Sequence, residues 1–549
     1  MIEAITIHEK DDVAVALTDL SKGSEVNVNG ISTILQHSIQ AKHKFALKDF
    51  DVNDEVHMYN VIVGVAKLPI KQGEAITTEN LTHKSETFSS NKSSNFKWTA
   101  PDVSRWGNTT FDGYHRKDGQ VGTGNYWLVF PLVFCENRNI DTIKKAFNKA
   151  LGFEKEDPYV GLVDQLVHQY ETGSLNGGTT LDVAVAEPPT KTKRIFENID
   201  GIRFLTHQGG CGGTRDDAQT LCQLLSGYVN NPNVAGATVL SLGCQNAQIK
   251  MFTDALKRTN PDMDKPVIIL DQQAMGTEKD LVKAAITRTF MALAEANEQT
   301  RKPAPLSKLT IGLECGGSDG FSGISANPSI GYTSDLLVAL GGKAILSEFP
   351  ELCGVEQELI DRMDDQDRAE KFVDIMRRYE KAAIDAGSGF DMNPSPGNIK
   401  DGLITDAMKS AGAAKKGGTS PVADVLDYTE YANKPGLNLL CTPGNDVEST
   451  TGLAASGANI ILFTTGLGTP TGNPVTPVLK VSSNTKLAEK MPDIIDIDTG
   501  AVIRGEKTIE DMGAEILDFI IDIASGRKNS KAMDLEQYDF IPWKRGVSL

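Results

Sequence analysis

Long apolar runs and cysteines are both scarce in this sequence. No uninterrupted apolar stretch reaches about 18 residues, so we expect no membrane span. The opening MIEAITIHEK has no cationic segment followed by an apolar run, so we expect no signal peptide. Seven cysteines spread over 549 residues are too few for a disulfide scaffold, and they predict free thiols in a reducing cytoplasm.

Positive charge is also in short supply. The formal net charge of −18 disfavours nucleic acids and anionic membranes, which attract basic surfaces. A small anionic ligand is not excluded, because a few local cationic groups can override the global field. We therefore predict a small-molecule partner, no nucleic acid and no membrane. The sequence leaves the oligomeric state open and allows a homo-oligomer.

Several common cofactor motifs are missing. There is no G-x-x-x-x-G-K-[ST] loop, since KKGGTS at 415–420 lacks the spacing. GLGTPTG at 466–472 has one spacer too many for the dinucleotide fingerprint. The sequence also lacks C-x-x-C and H-E-x-x-H, which disfavours a closed structural zinc site and a zinc protease.

The pattern of short runs predicts an α/β protein with a small β-rich module followed by two α/β domains with mainly parallel sheets. Residues 1–86 alternate short β-branched runs with turn-like SKGS, DVND and KQGE. Residues 87–108 are polar and serine-rich and are interpreted as a linker, or alternatively as an ordered insertion that packs across two domains. Buried strands alternate with helices over 109–395, the main domain, and again over 396–549.

Polar and titratable side chains follow the predicted strands. In a parallel sheet, ligands collect beyond the carboxyl ends of the strands. The glycine-rich stretch ECGGSDGFSG at 314–323 has the highest density of such groups. A few residues later, Asn327 is a suitable N-cap and Pro328 a suitable first helical residue, so we predict a helix that starts here and whose N-terminus could bind an anion. The groups at these strand ends are His207, Cys211, Cys244, Asp271, Glu314, Cys315, Ser318, Asp319, Ser347, Glu348, Thr464 and Thr465.

Each of these residues also has a structural interpretation. A single cysteine is usually a small buried hydrophobe, and His207 alone is more typical of a structural histidine. Glycine-rich turns after strands are common in α/β proteins. The combination of three cysteines beside glycines with neighbouring carboxylates is what favours a site.

Together, these segments resemble the altronate/galactarate dehydratase family. DDVAVALTDLSKGSEV and HSIQAKHKFALKDFDVNDEV resemble its N-terminal SAF-type module, with its histidine–lysine pair. FDGYHRKDGQVGTGNYW, THQGGCGG, LGCQNAQI, LECGGSDGFSGISANP, AILSEFPE, NPSPGNIKDGLI, KKGGTSPV, CTPGNDVESTTG and NIILFTTGLG follow in the family's order. The resemblance covers nearly the whole chain.

The resemblance implies an enzyme that removes water from a 2,3-dihydroxy acid to give a 2-keto-3-deoxy acid, with Fe²⁺ or Mn²⁺. It implies His43 as a base or metal ligand and His207 as a second acid or base. Cys211, Cys244 and Cys315 would surround the metal, with Glu348. An alternative is a [4Fe–4S] cluster held by these three cysteines. Asp319 is a third catalytic candidate. The residues expected to hold the substrate are Asp319, Ser318, Asn327, Asn125 and Thr465.

Two departures bear on the substrate. The family's arginines in GTRNY and TTGRG are Gly124 and Leu467 here. Arginine is the preferred bidentate partner of a carboxylate. Arg116, Arg138 or Arg215 could compensate. The alternatives are a lyase for galactarate or another sugar acid, a lyase for a sulfonated hydroxy acid, a cysteine nucleophile paired with His207, and a sugar-acid binding protein without activity.

Overall fold

The N-terminal module of the computed structural model consists of short antiparallel strands. The structure describes residues 2–154, 157–173 and 193–548. Asn29–Gly30 and Tyr59–Asn60 all have positive φ, which is the conformation of tight two-residue hairpin turns. The strands pair as β1-β2-β5, β3-β4 and β6-β7-β8. They are β1 Ala4–Ile5, β2 Val13–Ala16, β3 Glu25–Val28, β4 Ile31–Ile34, β5 Lys44–Ala46, β6 Glu55–Met58, β7 Val61–Ala66 and β8 Leu81–Thr82. The predicted β-rich module is confirmed.

The segment 87–108 is extended but is tied to the rest of the molecule. It has one short 3₁₀ turn, Ser104–Trp106. The Ser93 and Ser94 hydroxyls donate to Asp361 at 2.7 and 2.6 Å, and the Trp106 indole donates to Asp518 at 2.9 Å. These bonds favour the alternative interpretation, an ordered packing segment, over a free linker.

A four-stranded parallel sheet with the order β12-β11-β13-β14 forms the middle of the chain. A small antiparallel sheet, β10-β9-β15, borders it. The strands are β9 Thr110–His115, β10 Val121–Gly122, β11 Tyr126–Pro131, β12 Gly201–Phe204, β13 Val234–Ser241, β14 Val267–Asp271 and β15 Lys302–Pro305. The helices are α1 Asn137–Leu151, α2 Pro158–Glu171, α3 Arg215–Asn230, α4 Ile249–Thr259, α5 Gln272–Met275 and α6 Glu278–Ala296.

A seven-stranded parallel sheet with the order β18-β19-β17-β16-β20-β21-β22 forms the C-terminal half. Its strands are β16 Thr310–Cys315, β17 Lys343–Leu346, β18 Val422–Leu426, β19 Gly436–Leu440, β20 Ile460–Thr465, β21 Val478–Ser482 and β22 Ile497–Asp498. The helices are α7 Ala326–Ala339, α8 Glu356–Asp361, α9 Gln366–Asp385, α10 Pro396–Lys400, α11 Asp406–Ala413, α12 Asp446–Ala455, α13 Thr485–Lys490, α14 Gly500–Ile503, α15 Ile509–Ala524 and α16 Lys531–Asp534.

This sheet corrects the predicted domain boundary between residues 395 and 396. β16 and β17 lie before that point, but they pair with β20 and β19, which lie after it. The two α/β sheets instead separate between the end of α6 at Ala296 and the start of β16 at Thr310. The glycine- and proline-rich stretch at 386–399 resembled a boundary because local composition does not show which strands will pair.

The start of α7 also differs from the prediction. The helix begins at Ala326 with Ser325 as its N-cap residue, so Asn327 lies inside the first turn. Pro328 is still tolerated there, because the first-turn N–H groups have no intrahelical partner. Within the described part of the chain, no helix combines the length and apolarity needed to cross a membrane.

Candidate active site

The carboxyl edge of the seven-stranded sheet gathers polar side chains from five strands. Because the strands are parallel, the residues at their carboxyl ends meet at one edge. The strand order reverses between β16 and β20, and such switch points form the ligand crevice of open α/β sheets. The groups at this edge are Glu314 and Cys315 after β16, Ser347 and Glu348 after β17, Thr442 after β19, Thr465 at the end of β20 and Ser483 after β21.

The glycine-rich loop lies at this switch point and interlocks with the loop after β20. The Gly316 N–H donates to the Thr464 carbonyl at 3.0 Å, and the Gly466 N–H donates to the Gly317 carbonyl at 2.9 Å. A Cβ on Gly466 would lie 2.2 Å from Cγ of Asp319. A Cβ on Gly316 would lie 2.3 Å from a carboxylate oxygen of Asp446. The glycines are therefore required for the close approach of these two loops.

A buried ionic network lies beside this loop. The Lys416 ammonium contacts Glu348 Oε2 at 2.6 Å and Cys315 Sγ at 2.9 Å. Glu351 accepts from the Cys315 thiol at 2.9 Å and pairs with Lys409 at 2.7 Å. All five side chains are buried. Buried charges must be paired to persist, and this network pairs two carboxylates with two ammonium groups.

The charges of the network set its protonation states. Burial opposes ionisation of Glu351, but Lys409 and Lys416 outweigh it and lower the pKa of this carboxyl to about 2. Burial and the neighbouring Glu351 raise the pKa of Glu348. Burial opposes the charge on Lys416, but Cys315 and the carboxylates raise its pKa well above the usual value. Lys416 is thus a permanent cation.

Glu314 and Glu348 carry further signs of a specialised site. Glu348 has a φ of 69°, a left-handed conformation that is unfavourable for a residue with a side chain. Its N–H donates to the Thr442 hydroxyl at 2.8 Å, which helps to hold this conformation. Glu314 accepts from Ser347 and Ser449 at one oxygen, while the other oxygen has no partner among the described residues.

The N-terminal module inserts the loop Lys42–His43–Lys44 at the same edge. The Lys42 ammonium lies 3.0 Å from Asp319 and 2.9 Å from Asp401. The Lys44 ammonium donates to the Gly402 carbonyl at 2.6 Å, and His43 Nε2 lies 3.1 Å from the Lys400 carbonyl. The structure thus places His43 beside the end of α10 at this edge, and its role as a base or metal ligand stays a prediction.

The side chains of Lys42, His43 and Lys44 differ in the direction of their pKa shifts. Burial lowers the pKa of His43, which favours the neutral imidazole. A carbonyl can only accept, so Nε2 carries the hydrogen and Nδ1 has the free lone pair. Burial lowers the pKa of Lys44 to about 7. For Lys42, burial opposes the charge, but Asp319 and Asp401 outweigh it and raise the pKa.

Asp319 anchors this loop. It is fully buried, and its Oδ1 accepts from the Ser322 and Ser483 hydroxyls at 3.0 and 2.8 Å. Its Oδ2 pairs with Lys42 and accepts from Asn484. Because both carboxylate oxygens of Asp319 have partners within the protein, this residue holds the Lys42 ammonium in place.

The predicted substrate-binding residues of this edge make internal contacts. The Ser318 carbonyl accepts from Asn398 at 2.8 Å. Asn327 donates to the Gly412 carbonyl at 3.0 Å and accepts from the Thr464 hydroxyl at 2.6 Å. The Thr465 hydroxyl accepts from the Gly468 N–H at 2.9 Å. These contacts fix the walls of the crevice, and a direct role in substrate binding stays a prediction.

The other predicted site residues lie around the four-stranded sheet: Asn125, His207, Cys211 and Cys244. The Asn125 side chain is buried and bonds to Arg116, the Asn198 carbonyl and the Ala296 carbonyl. His207 Nε2 donates to the Pro131 carbonyl at 2.9 Å, and its Nδ1 accepts from the Gly209 N–H at 3.0 Å. Both ring nitrogens are committed to backbone, which favours a structural role for His207.

The thiols Cys211 and Cys244 are exposed, whereas Cys315 is buried. Among the described residues, Cys315 forms a group with Glu348 and Glu351 whose potential ligand atoms lie within 4.8 Å of one another. No such group includes Cys211 or Cys244 in the described ranges. Of the four predicted metal ligands, the structure therefore brings together Cys315 and Glu348 but not Cys211 and Cys244.

A cavity of about 460 Å³ opens at the edge of the four-stranded sheet. It is bordered by the loop that contains His207, by α3 and by the C-terminal tail. Apolar side chains such as Leu132, Leu221 and Trp543 contribute to its wall. Its charged lining residues are Asp217 and Lys544, whereas the buried lysine–carboxylate network lies at the other sheet.

The two positions that depart from the family's arginines differ in their surroundings. Leu467 lies against the glycine-rich loop, because a Cβ on Gly317 would be 3.2 Å from its side chain. Gly124 is buried, and its carbonyl accepts from Arg116. Arg116 also bonds to the Pro232 carbonyl and Asn125, so it is not free to replace a substrate-binding arginine.

The sequence analysis missed the lysines and one acid of this site. Lys416 lies in KKGGTS, which was rejected as a phosphate loop and counted among the segments that resemble the family without a role for the lysine, and Lys409 lies on α11. Glu351 follows Glu348 by three residues, the spacing that places both on one 3₁₀ turn. This spacing was a usable signal, whereas the pairing of Lys416 with Glu348 spans 68 residues and has none.

The chain matches known proteins along its whole length. "Altronate/galactarate dehydratase SAF domain" matches residues 2–84, "D-galactarate dehydratase/Altronate hydrolase, second domain" matches 113–297, and "D-galactarate/Altronate dehydratase, C-terminal" matches 306–548. The break between the second and third matches coincides with the separation of the two sheets.

Curated relatives of the chain include three dehydratases. An altronate dehydratase of Bacillus subtilis (strain 168) is 34% identical over 557 residues, covering 99% of each chain. An altronate dehydratase of Escherichia coli (strain K12) is 33% identical over 552 residues, covering 100% of each. A galactarate dehydratase (L-threo-forming) of Escherichia coli (strain K12) is 29% identical over 532 residues, covering 96% of this chain and 93% of that protein.

Proposed function

The chain belongs to the D-galactarate/altronate dehydratase family, and from this premise we propose that it is a hydro-lyase that converts D-altronate to 2-dehydro-3-deoxy-D-gluconate and water. The reaction would serve hexuronate (galacturonate) catabolism. The observation that carries the proposal is the insertion of His43 and two lysines at the switch point of the seven-stranded sheet. A neutral imidazole beside the Lys42 cation suits the removal of a proton next to a carboxylate.

The difficult step is removal of the proton on the carbon that bears the carboxylate. The resulting enediolate carries two negative charges, so fixed cations in a site shielded from water stabilise it. Lys42 is the partly exposed cation of the inserted loop, with 20% of its side chain accessible. Its raised pKa keeps its proton in place, so it acts through its charge.

His43 is the proposed base. The hydrogen bond from Nε2 to the Lys400 carbonyl leaves the lone pair of Nδ1 to accept the proton. The imidazolium that forms is then an acid of suitable strength for the β-hydroxyl, which leaves as water when protonated. One residue can thus take the proton and return it, and the net reaction loses one molecule of water.

Fe²⁺ or Mn²⁺ dependence remains part of the proposal, but the predicted ligands do not fit a resident ion as they stand. Cys315, Glu348 and Glu351 are suitable donors, yet the Lys416 ammonium already lies among them and balances their charge. A divalent ion there would require Lys416 to move away. We therefore assign no step to a metal at this position, and the [4Fe–4S] alternative also stays a prediction.

A second candidate substrate is galactarate or a related sugar acid. The similarity to a galactarate dehydratase favours this alternative, and the neutral Leu467 beside the glycine-rich loop marks a position where substrate recognition would differ from the family pattern. The fold and the proposed base would be unchanged. Only the end of the substrate remote from the reacting carbons would be recognised differently.

The test is an assay for 2-keto-3-deoxy acid formation by anaerobically purified protein. D-Altronate, galactarate and a panel of hexonates would be offered with Fe²⁺, with Mn²⁺ and with a chelator. Product from D-altronate would support both the reaction and the substrate. Product from another acid alone would support the reaction and assign the change in specificity to the Leu467 region. No product from any acid, with iron restored, would overturn the proposal.

A further inference from the structure

A second cluster of ligand-type side chains lies where the N-terminal module meets the C-terminal half. It consists of His83, just after β8, Cys353, just after the 3₁₀ turn Phe349–Leu352, and Asp406, the first residue of α11. One potential ligand atom from each residue lies within 4.8 Å of the other two. None of the three residues belongs to the ionic network of the candidate active site.

Two of these side chains have a buried polar atom without a partner. His83 Nδ1 and Asp406 Oδ2 are inaccessible to water and lack a hydrogen bond of ordinary geometry with any described residue, while the Cys353 thiol lies close enough to the Asp406 carboxyl to influence its pKa. The Asp406 side chain is fully buried. An unsatisfied buried polar atom costs about 1–3 kcal/mol, so two of them in one cluster call for an explanation.

We propose that His83, Cys353 and Asp406 form a binding site for a thiophilic divalent cation, with zinc as the best match. Zinc binds imidazole nitrogen, thiolate sulfur and carboxylate oxygen, and it commonly uses three protein ligands with one open position. Two such ligands on one tetrahedral ion lie about 3.4–3.6 Å apart, which agrees with atoms grouped within 4.8 Å of one another. A bound ion satisfies both unpartnered atoms at once.

The protonation of the metal-free cluster is consistent with this assignment. Burial raises the pKa of the Cys353 thiol and raises the pKa of Asp406 well above its usual value, while burial lowers the pKa of His83. The three groups are then all neutral without a cation. Binding of one divalent ion releases the thiol proton and the carboxyl proton, so the charge of the cluster is unchanged.

The site would tie the module to the body of the protein. His83 belongs to the module, whereas Cys353 and Asp406 belong to the C-terminal half. The junction already contains one buried hydrogen bond beside the cluster, from the Thr405 hydroxyl to the Val63 carbonyl at 2.6 Å. A metal that binds only the folded arrangement stabilises it by mass action, so the cation would act as a removable cross-link at this junction.

The test is the binding of Zn²⁺ and Co²⁺ to the full-length protein after treatment with a chelator. We expect one equivalent of zinc to be retained in a competing metal buffer. We also expect Co²⁺ to give a thiolate-to-metal charge-transfer band. Cys353→Ser should abolish the band, and His83→Ala and Asp406→Asn should each weaken affinity by at least ~100-fold.

Cys222→Ala and Cys135→Ser are the matched controls, since neither residue lies in the cluster, and both should keep the band and the affinity. Circular dichroism of every variant separates loss of binding from loss of folding, and Asp406→Asn keeps the side-chain volume. A wild-type protein that binds neither ion, or a band that persists in Cys353→Ser, would overturn the proposal. Because the readout is metal binding, the result does not depend on the proposed dehydratase activity.

Discussion

Both parallel sheets contain a switch point, but they differ in the side chains at their carboxyl edges. The switch point lies between β16 and β20 in one sheet and between β11 and β13 in the other. At the first edge, paired lysines and carboxylates are buried beside interlocked glycine loops. At the second, His207 is bonded to backbone and borders a cavity of about 460 Å³ with many apolar residues.

This difference shows that topology provides a place for chemistry but does not supply the chemistry itself. The N-terminal module contributes Lys42, His43 and Lys44 to the edge of the seven-stranded sheet, where residues 400–402 receive them. That edge therefore combines a neutral base with fixed positive charge. The edge of the four-stranded sheet has exposed thiols and a histidine without a free nitrogen.

The largest expected difference between the two sheet edges is in their contribution to turnover. His43→Ala should lower kcat by about 10²–10⁴-fold, the usual contribution of a general base, with an unchanged unfolding midpoint. His207→Ala is the matched control. It should keep kcat within a few-fold but lose about 1–3 kcal/mol of stability, because two backbone partners are left unsatisfied. Equal loss of turnover in both variants would remove the distinction between the two edges.

The next largest effect concerns stability. Lys416→Met leaves Glu348 without a buried counter-charge, whereas Glu351 keeps Lys409, and it should lower the free energy of unfolding by about 3–5 kcal/mol in a urea titration. Adding Glu348→Gln should recover part of this loss, because the uncompensated charge is removed.

Lys265→Met provides the comparison in the other half of the chain. Lys265 is buried too, but it donates to the carbonyls of Val229, Asn230 and Asn231. The Lys265→Met substitution should lower the free energy of unfolding by about 1–3 kcal/mol, because carbonyl oxygens and not charged carboxylates lose their hydrogen-bond donor. A smaller loss for Lys416→Met than for Lys265→Met would contradict the assignment of a charged network to the first edge.

The last effect, a slope of at most about 1.4 kcal/mol per pH unit, is on the pH dependence of stability. The pKa of Lys44 is lowered to about 7 in the folded protein and is about 10.4 when unfolded. Between these values the unfolded state binds one proton more, so this residue makes stability rise with pH by up to about 1.4 kcal/mol per unit. Its contribution is lost as pH falls through about 7.

Lys44→Met should therefore flatten the unfolding free energy between pH 7 and 10, as measured by urea titrations at several pH values. The exposed Lys48 of the same module is the control, and Lys48→Met should keep the slope of the wild type. An identical slope in Lys44→Met and the wild type would show that Lys44 is protonated in the fold.

The sequence predicted the features that depend on local pattern. Alternating short runs with turns indicated the β-rich module, and the apolar runs between helices indicated parallel sheets. Strand-end residues such as Cys315 and Glu348 were found because the carboxyl ends of parallel strands meet at one edge. His43 was found through the resemblance to a family, because nothing local shows where a surface loop of a separate module will dock.

The features that were missed depend on pairing between distant segments. The domain boundary was misplaced because β16 pairs with β20, 150 residues later, and composition carries no trace of that pairing. The contribution of Lys416 to the site was not predicted, because it depends on burial next to Glu348 and Glu351, which lie far away in the sequence. His207 was predicted from its place after a strand and Asn125 from the family resemblance, yet internal hydrogen bonds satisfy both, and sequence alone does not distinguish a satisfied polar residue from an available one.

The most direct test of the central claim is hydrogen–deuterium exchange of the His43→Ala variant with and without saturating D-altronate. The variant should bind the substrate without consuming it. The account predicts protection in peptides covering residues 42–44, 316–320, 398–402 and 466–468, with no change at 206–214 or 242–248. Protection confined to 206–214 and 242–248 would place the substrate at the other sheet and contradict the account.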